Sequence, residues 1–153
     1  MREAGGRGQL RGAREAQAEL IEAGKFSEIS DNIFVTGEVS GAYHNKYMAE
    51  QALVLKTNNG LTVITGCAHP GIMKMVDKVK THFPHEPLYL VCGGFHLKES
   101  DKRAIEIVIE EFKKSGIRKA GPTHCSGEEA EAVFKESYNA DFVPIVVGQE
   151  LEV

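Results

Sequence analysis

Apolar positions along this chain fall into two rhythms that alternate. "LTVITG" and "LYLVCGG" are β-branched or apolar runs of strand length that end in small residues, and the shorter "RKAGPTH" takes the same place a third time. After each comes a stretch whose apolar residues recur three and four apart. Ile72, Met75, Val76, Val79 and Phe83 make the first stripe. Ala104, Ile105, Val108, Ile109 and Phe112 make the second, and Ala130, Val133, Phe134 and Tyr138 the third. That period predicts amphipathic helices within "PGIMKMVDKVKTHF", "LKESDKRAIEIVIEEFKKSG" and "CSGEEAEAVFKESY". Ser126 and Glu129 have the spacing of a capping box. Strand followed by helix, three times over, predicts an α/β fold.

Upstream the pattern is less regular. "MREAGGRGQLRGAR", residues 1–14, has no hydrophobic period and reads as a flexible leader, leaving 15–153 as the domain. A helix is expected over "EAQAELIEAG", stopped by Gly24. "NIFVTGEV" is a strand by its β-branched and aromatic content. "GAYHNKYMAE" shows little period and reads as a loop. "QALVLKTNNGLTVITG" reads as a hairpin, with Asn59-Gly60 supplying the positive φ of its turn. The closing "DFVPIVVGQELEV" suggests two short strands around Gly148.

Composition narrows the class without naming a chemistry. A chain of 153 residues fits one domain with a sizeable core. A net charge of −4 gives no footprint for nucleic acid or an anionic membrane, so neither is expected as a partner. No apolar run approaches the ~20 residues of a membrane span. No apolar core of a signal peptide is present at the start, so a cytoplasmic location is expected. Cys67, Cys92 and Cys125 are an odd count without a secretory signal, which predicts free thiols. None forms a C-x-x-C pair, which excludes a zinc ribbon.

Candidate chemistry sits where the rhythm switches. His69, His96 and His124 each lie between a predicted strand and the helix after it, 27 and 28 residues apart. Strand ends of this kind share one edge of a sheet, where open α/β folds bind ligands. Three imidazoles on one edge match a catalytic zinc site of three protein ligands and one open position. The helix N-terminus that follows each keeps the ring neutral, as a metal needs, and could also hold an anion. The plain alternative is that a histidine in a turn is a hydrogen-bonded structural residue; equivalent placement of three favours a shared site. His44, His82 and His85 lack that placement, and the last two, flanking Pro84 in a helix-to-strand loop, read as solvated. Cys125, beside His124, is a candidate thiolate nucleophile, set against the simpler reading of small thiols packing the sheet.

"TGE", "QALVLKTNNGLTVITGCAHPGI", "GGFHL" and "THCSG", in this order, resemble the metallo-β-lactamase superfamily. The nearest branch is that of dihydropterin–ribofuranosylaminobenzene phosphate synthase-like metal-dependent hydrolases. The resemblance runs from about residue 17 to the end and covers the C-terminal half of that family. It implies half of an αββα sandwich, a mixed sheet with helices on one face. It further implies that His69, of the "GCAH" turn, and His124, of "THC", are metal ligands. Most of the superfamily has a bridging aspartate between them, and in this branch His96 of "GGFH" stands there. The metal would be zinc or another divalent transition metal.

The departures from the pattern are informative too. The family's His-x-His-x-Asp-His signature is not found in these 153 residues. "AE", Ala49-Glu50, stands where an acidic pair is common. A half sandwich leaves a sheet face without its partner layer, so the chain is expected to pair. The expected partner is a second copy, as a homodimer, or a separate polypeptide carrying the N-terminal half. Function is then a metal-dependent hydrolase half acting on a small-molecule substrate, active only with that partner, with no catalytic base assignable. The alternative is a non-catalytic remnant serving as a binding or interaction module.

Overall fold

The computed structural model describes residues 19–153. The strand–helix alternation is realised, with four strands in place of the one expected ahead of the "QALVLKTNNGLTVITG" hairpin. The strands are β1 (Ser27–Ser30), β2 (Ile33–Val35), β3 (Val39–Tyr43), β4 (Lys46–Glu50), β5 (Leu53–Thr57), β6 (Gly60–Thr65), β7 (Leu88–Gly94) and β8 (Lys119–Thr123). The helices are α1 (Ile72–His82), α2 (Lys102–Lys114) and α3 (Glu128–Tyr138). Six strands form one mixed sheet in the order β1-β2-β5-β6-β7-β8. It is antiparallel from β1 to β6 and parallel from β6 to β8. The change falls where hairpin connections give way to helical crossovers, which parallel strands require.

All three helices pack on one face of this sheet. Met75, Val76 and Val79 of α1, Ile105 and Phe112 of α2, and Ala130 and Phe134 of α3 bury against Val54, Leu61, Val63, Val91 and Ala120. The three predicted stripes are therefore core-facing surfaces. Phe95, Phe112 and Phe134 meet at the centre, with ring centroids 5.4 to 5.6 Å apart. Each fully buried side chain of this size contributes about 1.5–3 kcal/mol.

The opposite face is also apolar, and it is covered unevenly. Strand pairing puts Ile33, Val35, Leu53, Leu55 and Ile64 on that side, all half-buried. Toward β7, Leu90 and Cys92 are buried there against Ile64, Val143, Ile145 and Val153. Burial pushes the Cys92 thiol up to about 11. Among the described residues, no helix is long and apolar enough to cross a membrane.

Several local expectations need correction. "GAYHNKYMAE" is no loop: β3 and β4 pair as an antiparallel hairpin, Tyr43 opposite Lys46. His44 and Asn45 form its two-residue turn, both at positive φ, the primed-turn geometry that suits twisted strands. The β5–β6 turn is Asn58–Asn59, with Thr57 paired to Gly60; Gly60, not Asn59, has positive φ. A Cβ on Gly60 would stand 2.5 Å from the Pro87 carbonyl oxygen, whose bond to the Leu61 N–H ties the turn down.

The expected capping box does not form. Gly127 caps α3 without a side chain, and the Ser126 hydroxyl instead accepts from the Phe95 N–H at 3.0 Å. Asp101 is the side-chain cap that forms, accepting from Ala104 N–H at the start of α2. The C-terminal stretch makes a single isolated bridge, Ala120 to Phe142, rather than two strands. Residues 19–24 are not helical; the rest of the expected N-terminal helix and the leader over 1–14 lie outside the described residues. His82 ends α1 exposed, as expected, and one face of its ring stacks on Phe26, centroids 3.9 Å apart.

Candidate metal centre

β6, β7 and β8 run parallel, so their C-terminal ends share one rim of the sheet. The three histidines of the sequence pattern all lie there. Each of the three turns also contains a non-glycine residue in left-handed backbone: Ala68 at φ 57, His96 at φ 54 and His124 at φ 55. Such residues cost on the order of 1–3 kcal/mol each and gather at functional sites. The turns after the strands are thus held in conformations that local preference alone would not select.

The rim resolves into two adjoining groups. His69 and His96 stand side by side, ring centroids 4.5 Å apart. The ring of Tyr43, the last residue of β3, packs against both, at 4.5 Å from His69 and edge-on at 5.2 Å from His96. His124 is grouped instead with Cys67 and Cys125, the three donor atoms all within 4.8 Å of one another. His96 and His124 are exposed, and His69 is half-buried.

Glu50, at the end of β4, ties the hairpin to the rim. Its carboxylate accepts from the His69 ring at Nδ1 and from the His69 backbone N–H at 3.3 Å. Engagement of Nδ1 by a carboxylate fixes the tautomer and leaves Nε2 as the nitrogen with the free lone pair. Gly41 makes this approach possible, since a Cβ there would sit 2.6 Å from the Pro70 Cα. The Cys67 thiol is pushed above its ordinary value, first by desolvation, then by its hydrogen bond with Cys125 and the charges of Cys125 and Glu50.

The donors present suit a borderline metal. Imidazole and thiolate are the ligand types of zinc and related divalent ions, and a ligating histidine with a carboxylate on its other nitrogen is the usual supporting arrangement. Glu50, Tyr43 and Cys67 lay outside the set of three histidines read from the pattern. Glu50 showed only as one acid in an "AE" pair, and its role depends on a hairpin whose alternation is faint.

A six-stranded mixed sheet with helices on one face and histidines at the parallel strand ends defines a class. The architecture matches that of metallo-β-lactamase-like structures. Tm1679, described as a metal-dependent hydrolase of the β-lactamase superfamily, aligns with a TM-score of 0.72 at 32% identity, over 88% of this chain and 57% of its own. The metallo-β-lactamase IND-7 aligns with a TM-score of 0.50 at 14% identity, a likeness of fold alone, over 88% of this chain and 57% of that one. In sequence, the chain is similar to 7,8-dihydropterin-6-methyl-4-(β-D-ribofuranosyl)-aminobenzene-5'-phosphate synthase of Methanocaldococcus jannaschii. The two are 38% identical over 100 residues, 65% of this chain and 34% of the synthase. The chain thus spans about a third of that synthase and under three-fifths of Tm1679. No protein-family model matches it.

Proposed function

We propose that this chain contributes the histidine-bearing rim of a metal-dependent hydrolase that acts on a small-molecule substrate. The observation that carries the reading is the pairing of His69 with His96, with Glu50 on His69 Nδ1, at the parallel strand ends. His69 and His96 would hold a divalent metal, zinc or a related transition ion, with His124 as a third ligand from the adjoining turn. Such a metal supplies Lewis acidity to a phosphoester, ester or similar bond. Glu50 holds the His69 ring in one tautomer and orientation. Tyr43 packs beside both rings, and the hairpin it belongs to shields one side of the rim.

The two closer relatives bear names of different reactions, a hydrolase and a synthase. Metal dependence at the same rim is compatible with either. The His-x-His-x-Asp-His pattern is not present in these 153 residues, so the remaining ligands would come from outside them. A polypeptide carrying the N-terminal half, or a second copy of this chain, is the partner this reading favours. The half-buried apolar face formed by Ile33, Val35, Leu53, Leu55 and Ile64 supports such a partner.

Metal content separates this reading from that of a non-catalytic module. Purified protein equilibrated with zinc and then desalted should retain metal. A His69→Ala, His96→Ala, His124→Ala triple variant should lose most of it. Equal zinc in both proteins would defeat the proposal.

A further inference from the structure

The proposed histidine rim makes no use of Cys67 and Cys125 as a pair, yet the fold brings their sulfurs together across 58 residues of sequence. Cys67 lies in the turn after β6, and Cys125 in the short 3-10 turn, His124–Ser126, after β8. The Cys125 thiol donates to the Cys67 carbonyl oxygen at 3.4 Å, and the two sulfurs lie within 4.8 Å of each other. Both cysteines are free and half-buried, between the exposed residues Gly66 and His124.

The approach of the two is built into the strand between them. β7 ends at Gly94, where an added Cβ would stand 2.7 Å from the Cys125 Sγ and 3.1 Å from the Cys67 Cα. Any other residue there would fill the space the Cys125 sulfur occupies. Backbone ties then fix all three turns to one another. The Gly94 N–H donates to the Gly66 carbonyl at 2.9 Å, and the Lys98 N–H to the Cys125 carbonyl at 3.2 Å. The buried Ser126 hydroxyl accepts from the Phe95 N–H at 3.0 Å. Placement of the sulfurs therefore rests on the strand ends and not on one loop.

We propose that Cys67 and Cys125 form an oxidisable thiol pair that closes to an intramolecular disulfide on meeting a hydroperoxide. One thiolate attacks a peroxide oxygen; the O–O bond breaks, and a sulfenic acid and an alcohol, or water, are left. The second sulfur attacks the sulfenic sulfur; the S–S bond forms, the S–O bond breaks, and water leaves. Two thiols lose two electrons and two protons, and the peroxide is reduced by the same two electrons. A dithiol reverses the bond by exchange. Cys92, buried on the other face of the sheet, takes no part.

The full chain treated with one equivalent of hydrogen peroxide, alkylated, digested without reductant and analysed by mass spectrometry tests this. The expected product has lost about 2 Da, the two thiol hydrogens, and yields one cross-linked peptide pair joining Cys67 to Cys125. Dithiothreitol should restore both thiols. A Cys92→Ser variant should give the same cross-link, whereas Cys67→Ser and Cys125→Ser should each abolish it. Sulfinic or sulfonic acid on separate cysteines, a cross-link through Cys92, or thiols left unmodified would each overturn the proposal. The wild-type digest decides the matter even if a variant misfolds.

Discussion

Glu50 is the residue on which the site's chemistry turns most. A histidine with both nitrogens unengaged rotates and exchanges tautomers; one held at Nδ1 presents a single nitrogen. Glu50 supplies that restraint from a neighbouring hairpin, at the His69 ring and at the His69 backbone N–H. Loss of such a supporting carboxylate weakens metal binding by roughly 10–100-fold in comparable sites. Glu50→Ala should lower zinc affinity by that amount in competition with a chromophoric chelator, with the fold retained by circular dichroism. Glu50→Gln, whose amide oxygen can still accept from Nδ1–H, should fall between the two. Affinity unchanged in both variants would remove Glu50 from the site.

At the scale of elements, the hairpin of β3 and β4 and the turn after β6 depend on each other. Gly41 lies in β3 against Pro70, and Tyr43 and Glu50 reach the rim only because that contact is close. In Gly41→Ala the added methyl must push the hairpin away from the turn. Crowding of this sort costs about 1–3 kcal/mol. We expect lower stability to denaturant together with a changed His69 imidazole signal in NMR, since Tyr43 and Glu50 would move together. A destabilised variant with an unperturbed His69 would show that the hairpin does not set the ring.

The helices and parallel strands were legible in the sequence because long apolar periods report burial directly. Ile105, Ile109 and Phe112 are core residues by spacing and by structure alike. The β3–β4 hairpin was not legible. Its turn is His44–Asn45 where Asn-Gly would announce itself, and its side chains are mostly exposed or half-buried, so alternation is faint. The histidines could be placed at strand ends, since strand and helix boundaries fix that. Their division into His69 with His96 and His124 with two cysteines depends on turn geometry that no period encodes. The Asn58–Asn59 turn shows the same limit one residue wide, since its register follows from strand pairing.

For the molecule as a whole, the sheet has one fully covered face and one partly covered. Three helices bury the first; residues 143–153 contribute Val143, Ile145 and Val153 to the second, beside β7. The line of Ile33, Val35, Leu53, Leu55 and Ile64 is left half-buried across β2, β5 and β6. Apolar strips of this kind seek a partner layer. The chain alone should elute as a dimer in size-exclusion chromatography with light scattering, and Leu55→Glu should shift it to monomer. A monomeric wild-type peak at micromolar concentration would contradict self-association.

Whether the strand-end histidines hold a metal is read most directly by X-ray absorption at the zinc edge, which reports the ligands themselves. Zinc-loaded protein should show imidazole nitrogens at about 2.0–2.1 Å, with the outer-shell scattering of the rings. That signal should be lost in the His69→Ala, His96→Ala double variant. A zinc environment without imidazole scattering, or one left unaltered by the double variant, would show that these histidines do not hold the metal.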